Sequence, residues 1–214
     1  HTHVGYNLTF DPVLLYLENL ITKKNPSDIF SVNIESQSFL PSWRKKNYKK
    51  SVSAKKNLGG GVLLELSHEI NYLLKIFGKI KSVYAITKTS KSLDIDVEDF
   101  AEIIMENNYK TIFRLHLNFN SKRNVRKCEI VTNKDTIEAD LINRKVVTYY
   151  KSGRILNKNF FSKPSTSYKN QFIEFFKKPS KSKAIQNILL SIETLKIIDA
   201  IKLSSKIKNK VFVK

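Results

Sequence analysis

Apolar positions recur at helical spacing near the start of the chain, alternate through its middle, and return to helical spacing at its end. Residues 4–10 alternate weakly and read as a short strand. Asp11-Pro12 then opens a helix, because a carboxylate can cap the free N–H groups and proline suits the first turn. Val13, Leu14, Leu17, Leu20 and Ile21 form its apolar face, and Asn25-Pro26-Ser27 ends it. Residues 29–39 alternate as a strand, and residues 41–57 read as a long basic surface loop. After Gly59-Gly60-Gly61 the spacing predicts one helix over 62–77, stopped by Gly78. Strand-like runs follow at 80–89, 99–106, 109–118, 126–132, 136–142 and 146–151. Several are joined by short turn sequences such as Asn107-Asn108, so the sheet is expected to be mostly antiparallel. Amphipathic helices are expected at 168–177 and 184–207, with a last strand at 211–213. Helix and loop, then strands, then helices is an α+β order, not the βαβ alternation of a nucleotide-binding fold.

The composition narrows this picture. With 214 residues and 41% apolar positions the chain can bury a real core, and no apolar run approaches the roughly 20 residues of a membrane span. The start, His1-Thr2-His3, lacks the basic-then-apolar pattern of a secretory signal and reads as a cut or processed end rather than a metal-binding pair. The one cysteine, Cys128, permits no internal disulfide and points to a reducing, cytoplasmic setting. It has no neighbouring histidine to activate it and reads as structural. The net charge of +19 invites nucleic acid or another anionic partner. Yet the excess is lysine spread along the whole chain, without a zinc pattern or interleaved arginine and aromatic residues, which favours a solvated basic surface over nucleic-acid binding. A phosphorylated or nucleotide-linked substrate is compatible with the same charge.

Candidate chemistry concentrates after the glycines. Glu65, His68, Asn71 and Tyr72 share a face of the expected helix, since residues three and four apart are neighbours. A histidine beside a carboxylate and an amide has the parts of a general acid/base; the alternative is an ordinary interior histidine. Neither a phosphate-binding loop nor a dinucleotide fingerprint is present, and Glu65 with His68 is too little for a metal site. Trp43, Arg44 and Tyr48 either contact a sugar or its phosphate or anchor their loop. Arg114 and His116 alternate with Asn118 on one strand face, toward a pocket or toward solvent. Lys55 and Lys56 read as surface lysines.

Leu40-Pro41-Ser42-Trp43-Arg44, Tyr48, and the run from Ser53 through Gly59-Gly60-Gly61 to His68-Glu69-Ile70-Asn71, closed by Phe77-Gly78, resemble a branch of the Gfo/Idh/MocA oxidoreductases. Val4-Gly5-Tyr6-Asn7-Leu8-Thr9-Phe10-Asp11-Pro12 resembles the segment that starts that family's second domain, and residues 191–205 resemble its last helix. The resemblance implies a single substrate-side domain over 1–214. It is an open, mostly antiparallel sheet with helices packed on one face, pairing with a Rossmann domain that these residues do not contain. It implies NAD or NADP as cofactor of the whole enzyme with no cofactor-binding residue here, a sugar-like substrate, and a homo-oligomer formed through the sheet. It places the family's acid/base histidine on His68. The family's associated aspartate falls on Asn71, its upstream carboxylate on Glu65, and its opening arginine on Thr9. These departures leave open a catalytically incompetent copy or a free-standing interaction module.

Overall fold

The computed structural model describes residues 3–44, 47–177 and 180–213. Nine strands form one sheet: β1 Ile29–Phe39, β2 Ile80–Lys88, β3 Phe100–Asn107, β4 Ile112–Asn118, β5 Asn120–Thr132, β6 Asp135–Asp140, β7 Lys145–Tyr150, β8 Ile155–Asn159 and β9 Val211–Phe212. Their order across the sheet is β8-β7-β6-β5-β1-β4-β3-β2-β9, so β1 is the central strand. It runs parallel to β4 and antiparallel to β5, and the other pairs are antiparallel. The parallel pair needs a long crossover, supplied by everything between β1 and β4.

Helices α1 Pro12–Ile21, α2 Val62–Glu65, α3 Ser67–Phe77, α4 Thr166–Phe176 and α5 Lys181–Ile207 complete the fold. Alternate strand residues Val32 and Ile34, Phe113 and Leu115, Ile103 and Met105, and Cys128 and Ile130 are buried under them. Burial of a large apolar side chain is worth about 1.5–3 kcal/mol, so this face holds the sheet to the helices. Between β1 and β5 the open-face partners are instead Asn33 with Glu129 and Glu35 with Lys127. The chain is α+β: an open, mostly antiparallel sheet with helices on one face, as its element order predicts.

Local chemistry sets the boundaries. Asp11 caps α1 by accepting from the Val13 amide at 2.8 Å, with Pro12 behind it. Ser204 and Ser205 of α5 reach the β2 backbone, accepting from Ala85 at 3.0 Å and Thr87 at 2.9 Å. Those amides lie beyond the two residues paired with β9, so the serines satisfy a strand edge that is otherwise bare.

Four sequence expectations change. Residues 4–10 form no strand; Asn7–Phe10 is a 3-10 turn whose Thr9 hydroxyl donates back to the Tyr6 carbonyl at 2.7 Å. The expected helix over 62–77 is broken at Leu66 (φ −102°, ψ 24°), where the Ser67 hydroxyl takes the Leu64 carbonyl. The expected irregular loop contains 3-10 turns at Leu40–Trp43, Tyr48–Lys50, Val52–Ala54 and Lys56–Leu58, with Leu40 and Ala54 in the core. Strand β8 was not expected, because Ile155-Leu156-Asn157-Lys158-Asn159 is an exposed edge without a buried face.

The glycine triplet joins these turns to α2. A Cβ on Gly60 would stand 2.7 Å from the Ser53 carbonyl oxygen and closer still to that of Val52. Both are backbone atoms that cannot swing aside. Gly60→Ala is expected to lower stability by about 1–3 kcal/mol, read from the urea midpoint; an unchanged midpoint would remove the close-approach argument.

Candidate functional site

The first half of β5 runs past β6, which pairs only from Lys127 onward. There the helix-facing positions turn polar. In β1, Val32 and Ile34 give way to Ser36 and Ser38; in β5, Ile130 and Cys128 give way to Arg126, Asn124 and Lys122. These polar residues form the floor of a cleft of about 690 Å³. Glu65, Leu66 and His68 at the α2–α3 break form one wall; Asn7, Leu8 and Asp11 with Arg144 and Tyr168 form others, and Trp43 lines one end.

His68 is half-buried, with the Tyr6 ring edge-on at 5.3 Å. Its Nδ1 is enclosed without a hydrogen-bond partner, which leaves Nε2 as the ring nitrogen for a ligand in the cleft. Burial lowers its pKa from 6.5; the Glu69 charge acts against this and the Arg126 charge adds to it. The ring is therefore neutral at pH 7 and able to accept a proton.

Behind it, Glu69 is fully buried and receives Arg126 at two points, Nε to Oε1 at 2.7 Å and Nη2 to Oε2 at 3.4 Å. The guanidinium keeps a quarter of its side-chain surface exposed, where it lines the cleft. Arg144 is fixed likewise, donating from Nη1 to Asp11 at 2.6 Å and from Nη2 to Ser162. Glu65 lines the cleft near His68.

The remaining expected site residues scatter. Asn71 is buried and points to α5, donating from Nδ2 to Thr194 Oγ1 at 3.0 Å. The expected grouping of Asn71 with His68 is thus corrected: the break at Leu66 sets His68 at the cleft, while Asn71 is packed into the interior. Trp43 lies in the cleft wall, its Nε1 donating to Ser38 Oγ at 2.9 Å and its ring against Phe119. Arg44 is exposed beside it. Tyr48 anchors its turn through a 2.9 Å bond to the Leu93 carbonyl and does not line the cleft. Arg114 and His116 lie away from the His68 cleft: strand parity puts them on the open face, where His116 Nδ1 lies 2.6 Å from Glu102 and Arg114 Nη2 lies 3.3 Å from the same oxygen. They line a second pocket of about 570 Å³, which shares no lining residue with the His68 cleft.

Other candidates resolve simply. Lys55 and Lys56 are exposed outside the cleft. Burial pushes the Cys128 thiol up to about 12, so it stays protonated and packs as an apolar group. His3 packs against Phe10, and His1 lies outside the described residues. Among the described residues no cluster of three or more His, Cys, Asp or Glu can hold a metal ion, and no helix is long and apolar enough to cross a membrane.

Sequence reading missed Glu69, Lys122, Asn124, Arg126 and Arg144. The available signal was the switch from apolar to polar at core-facing positions of both β1 and β5. A polar side chain on a buried face needs a partner, and a run of them marks a cleft.

A family model for the GFO/IDH/MocA C-terminal domain matches residues 15–138. No curated protein matches significantly. Among solved structures, a levoglucosan dehydrogenase in complex with NADH and levoglucosan superposes with a TM-score of 0.81 at 16% identity, covering 99% of this chain and 66% of that one. An oxidoreductase from Thermotoga maritima superposes at 0.79 with 21% identity over 99% of this chain and 62% of that one. An inositol dehydrogenase homolog complexed with NAD+ from Azotobacter vinelandii gives 0.79 at 12% identity over 98% and 64%. This chain therefore spans less than two thirds of each of those chains, and at such identities the likeness establishes the fold. With the family model matching more than half of its length, the chain belongs to the GFO/IDH/MocA C-terminal domain family.

Proposed function

We infer that this chain is the substrate-side domain of an NAD(P)-dependent oxidoreductase that interconverts a hydroxyl and a keto group on a sugar or sugar derivative, with His68 as acid/base. The observation that carries this is the half-buried His68 facing a polar cleft, with burial holding its pKa below 6.5. NAD or NADP, held by a nucleotide-binding domain outside these residues, supplies the hydride acceptor. The substrate O–H proton would pass to His68 Nε2 as the C–H hydride leaves, and the protonated ring would return that proton to solvent afterward. Glu65 accepts from a neighbouring hydroxyl, and Trp43 offers an apolar face to the sugar ring; Arg44, exposed and next to Trp43 in the chain, is within reach as a donor to an anion or hydroxyl. Asn71 supports α3 through Thr194 rather than touching substrate. The single buried thiol suits a cytoplasmic setting.

The experiment is turnover of a sugar panel by the protein carrying its nucleotide-binding half, followed by NADH absorbance. Turnover that depends on His68 supports the reading, and a folded protein that reduces no cofactor with any sugar overturns it.

A second copy packed through the open sheet face completes the proposal. Tyr84, Ile86, Ile104 and Ile112 are exposed toward one edge of that sheet, and Tyr149 and Ile155 toward the other. Apolar area of this extent on both flanks of a charged centre suits association. Sedimentation velocity is expected to show a dimer or larger species that Ile104→Glu dissociates; a monomer at all concentrations would remove this part.

A further inference from the structure

We propose that the cleft takes a sugar carrying an anionic substituent, a carboxylate or a phosphate, with Lys122 as its recognition group at the end away from His68. This rests on the reading of the cleft as a sugar site and names the substrate class. The cleft holds three permanent cations, Lys122, Arg126 and Arg144. Two of them are neutralised at short range, Arg126 by Glu69 and Arg144 by Asp11. Lys122 has no carboxylate within ion-pair distance among the described residues. Its ammonium is held over the Phe39 ring, 2.9 Å from the centroid. A cation resting on an aromatic face is restrained without being discharged.

Glu65, beside His68, likewise has no ion-pair partner among the described residues, so the cleft is polarised: an unpaired carboxylate near the base and an unpaired ammonium along the β5 floor. A neutral sugar would leave that ammonium without a counter-charge beside it, whereas an anion there pairs with it directly. Strand geometry fixes the spacing. Lys122 and Arg126 are four residues apart on one face of β5, roughly 13 Å at about 3.3 Å per residue. Arg126 stands beside His68 through Glu69. The anion therefore belongs at the far end of the molecule, within reach of a flexible lysine stem, and not on the reacting carbon. Asn124 lies between them and offers an amide to the ring hydroxyls.

The test is calorimetric titration of this chain with D-glucose 1-phosphate, D-glucuronate, D-glucose and inorganic phosphate. At least one acidic sugar is expected to bind about tenfold more tightly than glucose at low salt, and Lys122→Gln to abolish that advantage. Lys122 is exposed, so the fold is expected to survive; Lys127→Gln, on the opposite face of β5, controls for general charge. The tighter of the two acids tells carboxylate from phosphate. Glucose bound as tightly as its acids, an advantage that survives Lys122→Gln, inorganic phosphate bound as well as the sugar phosphate, or no binding by either acid would each overturn the proposal. Acid preference that persists without turnover in the longer protein would sink the oxidoreductase reading and leave this one standing.

Discussion

Glu69→Ala is expected to destabilise the fold by about 3 kcal/mol, toward the lower end of the cost of stripping one partner from a buried ion pair. Glu69 is completely buried and lies at the start of α3, pointing across to β5. Its two oxygens hold two nitrogens of Arg126, whose remaining surface lines the cleft. Removing the carboxylate leaves a guanidinium that cannot withdraw fully, though the quarter of its surface in the cleft softens the penalty. Urea denaturation reads the effect as a lowered midpoint at unchanged slope. Glu69→Gln keeps an acceptor and should lose less. The double change Glu69→Leu with Arg126→Met should recover most of the loss, since an apolar pair of similar volume replaces the ionic one. A Glu69→Ala midpoint matching the parent would show that the pair contributes nothing to holding α3 on the sheet.

That pair also marks where sequence reading stops. The apolar pattern placed eight of the nine strands at least approximately, chiefly by period-two alternation, because one face is buried and the other is wet. The run at 155–159 lacks such a face and stayed invisible. Apolar spacing showed the helical character of 62–77 but not the break at Leu66, which depends on a hydroxyl competing for a carbonyl. Asp11-Pro12 announced α1 correctly, yet the residues before it were misread, because seven weakly alternating positions cannot reveal whether any strand edge is free to receive them. For the site, His68 was legible from its own helix and its family resemblance. Glu69 with Arg126 was not: the partners are 57 residues apart, and Arg144 with Asp11 are 133 apart. Periodicity carries no information about which distant residue meets which. The same gap explains Arg114 and His116, whose shared face was evident while the side of the sheet was not.

His68→Ala is expected to cut turnover of the complete enzyme about 10²–10⁴-fold, the usual contribution of a positioned acid/base. The sign of the pH dependence follows from its environment. Burial, the largest influence, lowers its pKa below 6.5, and Arg126 adds to that while Glu69 opposes it. The neutral ring thus persists from high pH down through 6.5 and is lost only as pH falls through the lowered value. Alcohol oxidation, which needs the base, should be flat above neutrality and decline on the acid side; ketone reduction, which needs the protonated ring, should rise there. The same depression weakens the fold in acid: its contribution is complete above 6.5 and is lost as pH falls through the folded pKa, so each rate must be matched by a stability measurement at that pH. Arg126→Gln removes a nearby positive charge and should move the acid limb of oxidation toward higher pH, a shift that mere loosening of the cleft would not produce. Full turnover in His68→Ala, or an acid limb that persists in it, would move the base elsewhere in the cleft, with Glu65 the next group to test.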